Sequence, residues 1–341
     1  NPGTPVMANY VPVIDSGMFL WGLLMFGVAF GLTALRALAV PQRVGVLLAP
    51  DGALRFGLNA AAVAAAMSIV ALAWSWATVP RLLDSKTYYE LLFWGPGHVI
   101  QFCWSLVMMV AWLWLATLAG ARVPLSPRVV TLLFAIGLAA VFATPLIYLA
   151  HDVASVEHQK LFTWQMRFGG GLAIVPITVA VLIGLLRADR LPPDAGDWRL
   201  AACRNALWAS LLLFAAGGLI GFLIKGSDVR IPAHYHGSIV GITLALMGLT
   251  YALLPKLGFV RPLPRMAAWQ PLLYGFGQFL HIVGLVWSGG YGVQRKVAGA
   301  EQVLRTTSEV AGMGLMGLGG LIAVAGGLLF AVVVLRTLGR K

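Results

Sequence analysis

The segment Ile231-Pro232-Ala233-His234-Tyr235-His236-Gly237 opens an apolar run that closes at Leu253-Leu254-Pro255. A run of about 20 apolar residues is the length a helix needs to cross ~30 Å of hydrocarbon. The segment therefore reads as a membrane span with two histidines at its start. Residues two apart on an α-helix point about 200° apart. The imidazoles of His234 and His236 thus face opposite sides of one helix and do not easily bind the same metal. Each is free to ligate a different group.

Similar apolar runs recur along the whole chain. Of 341 residues 60% are apolar and only 11% are charged, against the roughly one-quarter charged residues of a soluble domain. The mean hydropathy is +0.86. Nine spans are predicted, at about 18–40, 58–79, 94–118, 129–150, 162–187, 200–224, 233–255, 270–290 and 311–336. The fold class is an all-α membrane bundle, with 1–341 forming a single transmembrane domain. Short loops with Pro, Gly and charges separate the spans, as in Pro192-Pro193-Asp194-Ala195-Gly196-Asp197. Glycines from Gly312 to Gly327 suit close helix packing in lipid. Cys103 and Cys203 form no CxxC pair and read as small core residues. Asn1 to Ser16 have neither an apolar core nor a basic leader, so they are not expected to be a signal peptide.

The net charge of +12 resembles a nucleic-acid signal, but its placement excludes one. The cations sit in short loops and form no basic helix face. Arg36, Arg43, Arg55, Arg122, Arg128, Arg187, Arg190, Arg199, Arg204, Lys256, Arg261, Arg265, Arg336, Arg340 and Lys341 flank one membrane face. They are fifteen of the 24 basic residues. Arg81, Lys86, Lys160, Arg167, Lys225, Arg230, Arg295, Lys296 and Arg305 lie on the other. The richer face is expected to be cytoplasmic, so the even-numbered loops face outward.

Five of the six histidines then fall toward the outer, periplasmic half. His98 starts span 3, His151 ends span 4, His158 lies in the following loop, and His234 and His236 start span 7. His281, in span 8, sits deeper. Ionisable residues in hydrocarbon are functional candidates by default. Two flat cofactors flanking one helix would suit the His234/His236 pair. Haem is the natural candidate, since an axial imidazole holds its iron. Gly237 and Gly241 leave room for a planar group. His98 and His151-Asp152 offer two imidazoles and a carboxylate, a set closer to non-haem iron than to copper. Arg295 and Lys296 could pair with haem propionates.

In this order the motifs resemble the haem–copper oxidase superfamily, which includes oxygen and nitric oxide reductases. Phe93-Trp94-Gly95-Pro96-Gly97-His98-Val99-Ile100-Gln101-Phe102 is similar to the family's sixth-helix motif Phe-Trp-x-x-Gly-His-Pro-x-Val-Tyr. Ala150-His151-Asp152 stands where the family has paired histidines. His234-Tyr235-His236 leading to Leu253-Leu254-Pro255 resembles its tenth helix, and Arg295-Lys296 its basic pair after the eleventh.

The resemblance implies a catalytic, subunit I-like chain whose nine spans correspond to the fourth to twelfth helices and which lacks the first three. His234 would ligate the high-spin haem and His236 the low-spin haem, two haems of b type or related. His98 and His151, with Asp152, would hold copper or non-haem iron. Other membrane subunits would supply the missing helices, and a cytochrome c or quinol the electrons. Phe102 replaces the tyrosine of oxygen reductases, although Tyr148 is one turn before His151. From Ala173 to Leu186 only Thr178 is polar, a poor proton wire. NO is therefore favoured over O2 as substrate. A cytochrome oxidase-type O2 reductase is the alternative, and a non-catalytic membrane subunit with a degenerate site is the alternative of another class.

Overall fold

A helix in hydrocarbon satisfies its own backbone groups, which is why long apolar runs become helices rather than open strands. The computed structural model, which describes residues 3–39, 49–188, 198–260, 262–297 and 303–339, has the expected helices. They are α1 Gly17–Ala39, α2 Pro50–Thr78, α3 Ser85–Leu118, α4 Pro127–Ala139, α5 Thr144–Ala150, α6 Val156–Gly169, α7 Gly171–Arg187, α8 Trp198–Phe222, α9 Arg230–Leu253, α10 Pro264–Gly290 and α11 Thr307–Leu338. Among the described residues they make nine spans long and apolar enough to cross a membrane, α4 with α5 and α6 with α7 each forming one. The shortest, Ala201–Phe222, has 22 residues, about 33 Å at 1.5 Å per residue. The chain is a multi-pass α-helical membrane protein. Arg43, Arg190, Arg261, Arg340, Lys341 and the Pro192–Asp197 loop lie outside the described residues, as does the side chain of Arg199.

Three differences from the expected spans bear on the site. First, α3 begins at Ser85, not near 94, so His98 lies well inside a helix. Second, the fifth span begins at Val156, not 162, so His158 is helical rather than in a loop. Polar residues dominate both added segments, and hydropathy alone stops at the apolar boundary. Third, the N-terminal residues are not featureless. Strands β1 Thr4–Val6 and β2 Val13–Asp15 pair antiparallel, so the bundle carries a small hairpin that an all-helical reading omits.

The chain divides into two compact units, residues 1–110 with 125–180, and 111–124 with 181–341. In the first, α5 starts with Pro at its first turn. Without that N–H the helical ladder breaks at a 3₁₀ turn, Ala140–Ala143, and Gln165 of α6 donates to the Ala140 carbonyl at 2.8 Å. In the second, α10 and α11 meet along glycines seven residues apart. A Cβ on Gly284 would strike the Met316 nitrogen, and one on Gly319 the His281 nitrogen. The glycine run of the last span is thus a packing seam, as in other close helix pairs in lipid. Cys103 and Cys203 are buried and unpaired as disulfides.

Candidate functional site

In the first unit the site forms around α3. His98 is 3% exposed, and its Nδ1 lies 2.7 Å from the Trp94 carbonyl one turn back. A carbonyl only accepts, so Nδ1 carries the proton and Nε2 keeps the lone pair. The hairpin loop places Tyr10 over the ring, its hydroxyl 2.9 Å from Nδ1 and 3.2 Å from Nε2. Gln101 donates to the same hydroxyl at 3.3 Å, and Asn9 anchors the loop by donating to Glu90 at 2.5 Å. Gly97 makes this possible, since a Cβ there would enter the Tyr10 ring. Desolvation raises the Tyr10 phenol above its ordinary pKa. The Gln101 hydrogen bond opposes the shift and the Glu90 charge adds to it.

His151 and Asp152 end α5. His151 is the extended C-cap residue, half-buried, its amide donating to the Ile147 carbonyl at 3.0 Å. Asp152 is exposed. Its Oδ1 accepts from the Ala154 amide at 2.8 Å, and its carbonyl accepts from the Ser155 hydroxyl at 2.6 Å. Ser155 in turn caps α6, its Oγ accepting from the His158 amide at 3.2 Å. The Asp152 carboxylate is thus a turn-former.

The turn delivers His158, for which the sequence predicts a loop, into the first turn of α6. His158 is fully buried, and its ring makes no hydrogen bond of normal geometry, the His151 backbone being the polar group that acts on it. Its ring stands 4.8 Å from those of Tyr148 and Phe162. Leaving a buried polar atom without a good hydrogen bond costs about 1–3 kcal/mol, so this ring is less well satisfied than His98, whose Nδ1 meets the Trp94 carbonyl. The aromatic cage is itself anchored. The Tyr148 hydroxyl bonds Ser75 at 2.7 Å and donates to the Ala71 carbonyl at 3.0 Å, and its ring stacks on Trp74. Among the described residues no three His, Cys, Asp or Glu side chains converge as a ready metal cage.

In the second unit the opposed histidine pair stands as helix geometry requires. His234 turns to α8, its Nδ1 2.6 Å from the Gly217 carbonyl, which puts the proton on Nδ1 and the lone pair on Nε2. Gly217 and Gly237 let the two backbones meet, and a Cβ on Gly221 would lie 3.0 Å from the His234 ring. His236 turns to α10, its ring 4.7 Å from His281 and inclined by 59°. His281, expected to sit apart from the other five, is therefore the neighbour of His236. Its Nδ1 lies 3.0 Å from the Met316 carbonyl of α11. An Nδ1–H bonded to a backbone carbonyl fixes the ring and leaves Nε2 free to ligate, as in metal-bound histidines. His98, His234 and His281 share it, and all three suit metal or haem iron.

Just before α9, Asp228 accepts from Arg230 at both carboxylate oxygens. That ion pair holds the Asp228 carboxyl below its ordinary pKa, chiefly through the Arg230 hydrogen bond. Val229 donates to the Val293 carbonyl at 3.0 Å, and Arg295 donates to Ser227 at 3.2 Å. The basic segment is thereby tied to the start of α9. Lys296 sits in the left-handed region at φ 60°, an uncommon backbone for a lysine.

No family model matches the chain. The fold is that of the haem–copper oxidases: a haem–copper terminal oxidase dimer solved by cryo-electron microscopy superposes with a TM-score of 0.63 at 16% identity, covering 85% of this chain and 57% of that one. In sequence, an uncharacterized protein of Rickettsia prowazekii (strain Madrid E) is 28% identical over 98% of this chain and 71% of its own length. An uncharacterized protein of Aquifex aeolicus (strain VF5) is 29% identical over 79% of this chain and 64% of its own. The chain thus spans under two thirds of the Aquifex protein and of the oxidase chain.

Proposed function

We propose that the chain is the catalytic subunit, or the larger part of it, of a membrane respiratory reductase of the haem–copper type. Its spans correspond to the fourth to twelfth helices of subunit I. The observation that carries this reading is the opposed pair on α9. His234 has its Nδ1 held by Gly217, and His236 lies on the other side of the helix against His281. His234 would hold the reactive haem and His236 the low-spin haem, with Arg295 and Lys296 toward the propionates. His98 and His151 would hold copper or non-haem iron, with Asp152 the third candidate by sequence. When bound, these groups supply the electron relay and the centre that reduces a small diatomic molecule.

The chain's own residues orient and insulate. The Gly217 and Trp94 carbonyls fix the proton of His234 and His98 on Nδ1, keeping Nε2 for metal. Two features favour NO over O2. Phe102 occupies the place of a redox tyrosine, and the hydroxyl of Tyr148 is already bonded to Ser75 and Ala71. Between Ala173 and Leu186 of α7 the one polar side chain, Thr178, donates back to the Ile174 carbonyl at 2.7 Å, so it offers no relay for pumped protons. The site belongs on the periplasmic side of a bacterial inner membrane. Other membrane subunits and a cytochrome c or quinol donor complete the enzyme.

The experiment is a redox difference spectrum and metal analysis of the purified complex, followed by NO and O2 consumption with a reduced donor. Two haems and faster NO uptake are expected. Faster O2 uptake makes it a terminal oxidase. Absence of haem iron makes it a non-catalytic subunit.

A further inference from the structure

We infer that His281 is the positioning residue of His236: it accepts an N–H from the His236 ring and so keeps that ring's other nitrogen turned to the low-spin haem. The inference rests on the reading of His236 as a haem ligand and adds the group that aims it.

The first observation is a contrast within the opposed pair. His234 has its Nδ1 held by the Gly217 carbonyl at 2.6 Å. Among the described residues no backbone carbonyl holds the His236 ring in this way. The polar group against it is the His281 ring, 4.7 Å away between centroids. A ligating imidazole is ordinarily fixed in orientation and tautomer by an acceptor on its second N–H, and His281 is the group placed to be that acceptor.

The second observation is that His281 is itself fixed from the other side. Its Nδ1 lies 3.0 Å from the Met316 carbonyl of α11. A carbonyl only accepts, so Nδ1 carries the proton and Nε2 keeps a lone pair. The glycine seam makes this contact possible. A Cβ on Gly319 would strike the His281 amide nitrogen, and one on Gly320 would lie 3.4 Å from its Nδ1. A lone pair between packed membrane helices is costly without a donor, and the His236 ring supplies one.

The third observation is spacing. Two imidazoles on opposite faces of one iron are held apart by two metal–nitrogen bonds of about 2 Å each, besides the rings themselves. That exceeds the 4.7 Å between these centroids, so no porphyrin fits between them and His281 is not the opposite axial ligand. A direct N–H···N bond of about 3 Å is compatible with rings at this separation, inclined by 59°. The line Met316 carbonyl, His281, His236 thus ties α11 through α10 to α9. Donation to His281 makes the His236 imidazole a stronger electron donor, which favours oxidised iron.

The test uses the complete complex purified from membranes, with haem measured by its reduced pyridine spectrum and the low-spin midpoint potential by spectroelectrochemical titration. His281→Leu removes the acceptor. It should keep the haem and move the midpoint potential upward, by roughly tenfold in the oxidation equilibrium. His281→Gln returns an acceptor oxygen and should bring the potential back near wild type, a rescue that packing alone does not give. An unchanged potential in His281→Leu overturns the inference, as does a shift that His281→Gln fails to reverse. Conversion of the low-spin haem to high spin in both variants also overturns it and makes His281 an iron ligand. Absence of low-spin haem from wild type overturns the reading of His236 itself. If His281→Leu does not accumulate, pulsed electron–nuclear double resonance of oxidised wild type in H2O and D2O decides. An exchangeable imidazole proton shared with a nitrogen acceptor supports the inference, and one shared with oxygen overturns it.

Discussion

The two histidine groups of this protein are built by opposite strategies. In the second unit, His234 and His281 are each aimed by a backbone carbonyl of a neighbouring helix, and glycines let those helices come close enough to do it. In the first unit, His98 leans on its own helix and on Tyr10 from the hairpin. His158 there stands against Tyr148 and Phe162 with no hydrogen bond of normal geometry to its ring. The difference teaches that a ring is ordered either by a hydrogen bond or by packing. Rings tied to carbonyls of neighbouring helices are set by the fold itself, whereas the imidazole among Tyr148 and Phe162 is positioned by aromatic packing.

The sharpest way to break this comparison is to remove the aimed rings. His234→Ala should abolish diatomic reduction, and His236→Ala should remove one haem. The first is read in NO and O2 consumption and the second in the redox difference spectrum, and both proteins should remain folded. If either variant keeps both haems, the opposed pair is structural.

Next in size is the glycine seam. Gly319→Leu forces a side chain into the His281 backbone and should destabilise the α10–α11 pair by about 1–3 kcal/mol or more. A lower Tm in detergent with loss of the His236-linked haem is expected. Gly317→Leu, in open space on the same helix, should leave both unchanged.

The first unit responds less steeply. Tyr10→Phe removes the hydroxyl from His98 and should cost about 0.5–1.5 kcal/mol. It should also shift the spectrum of the second metal while the haem bands stay in place. An unchanged metal spectrum would mean that the hairpin only covers the helix.

The smallest effect belongs to Asp228. Its carboxyl is held below the ordinary value by Arg230, so its contribution is present above the usual carboxylate pKa of about 4. It is lost as the pH falls through the depressed value. Asp228→Asn should flatten the acid limb of a stability profile, with at most about 1 kcal/mol lost at neutral pH. A steeper acid limb in the variant would reverse the assignment.

Much of the site was legible before any coordinates. The 200° offset between His234 and His236 follows from helix geometry alone. What hid His158 was the polar composition of Val156 to Lys160, which reads as a loop until the Ser155 cap is seen to start a helix there. The Tyr10 contact was hidden for a different reason: its partner is 88 positions away, and no local pattern signals so distant a neighbour. His281 looked solitary because pairing across α9 and α10 depends on which faces those helices turn to each other.

By itself the sequence determined that the chain crosses the membrane, how often, and on which helices its imidazoles stand. Hydrocarbon enforces a length and a composition that any single run must meet alone. Only the tertiary structure decided which carbonyl each ring meets, which histidine lacks a hydrogen bond of normal geometry, and that Asp152 serves a turn. Those outcomes depend on helices separated in sequence approaching one another, and small residues set how near they come.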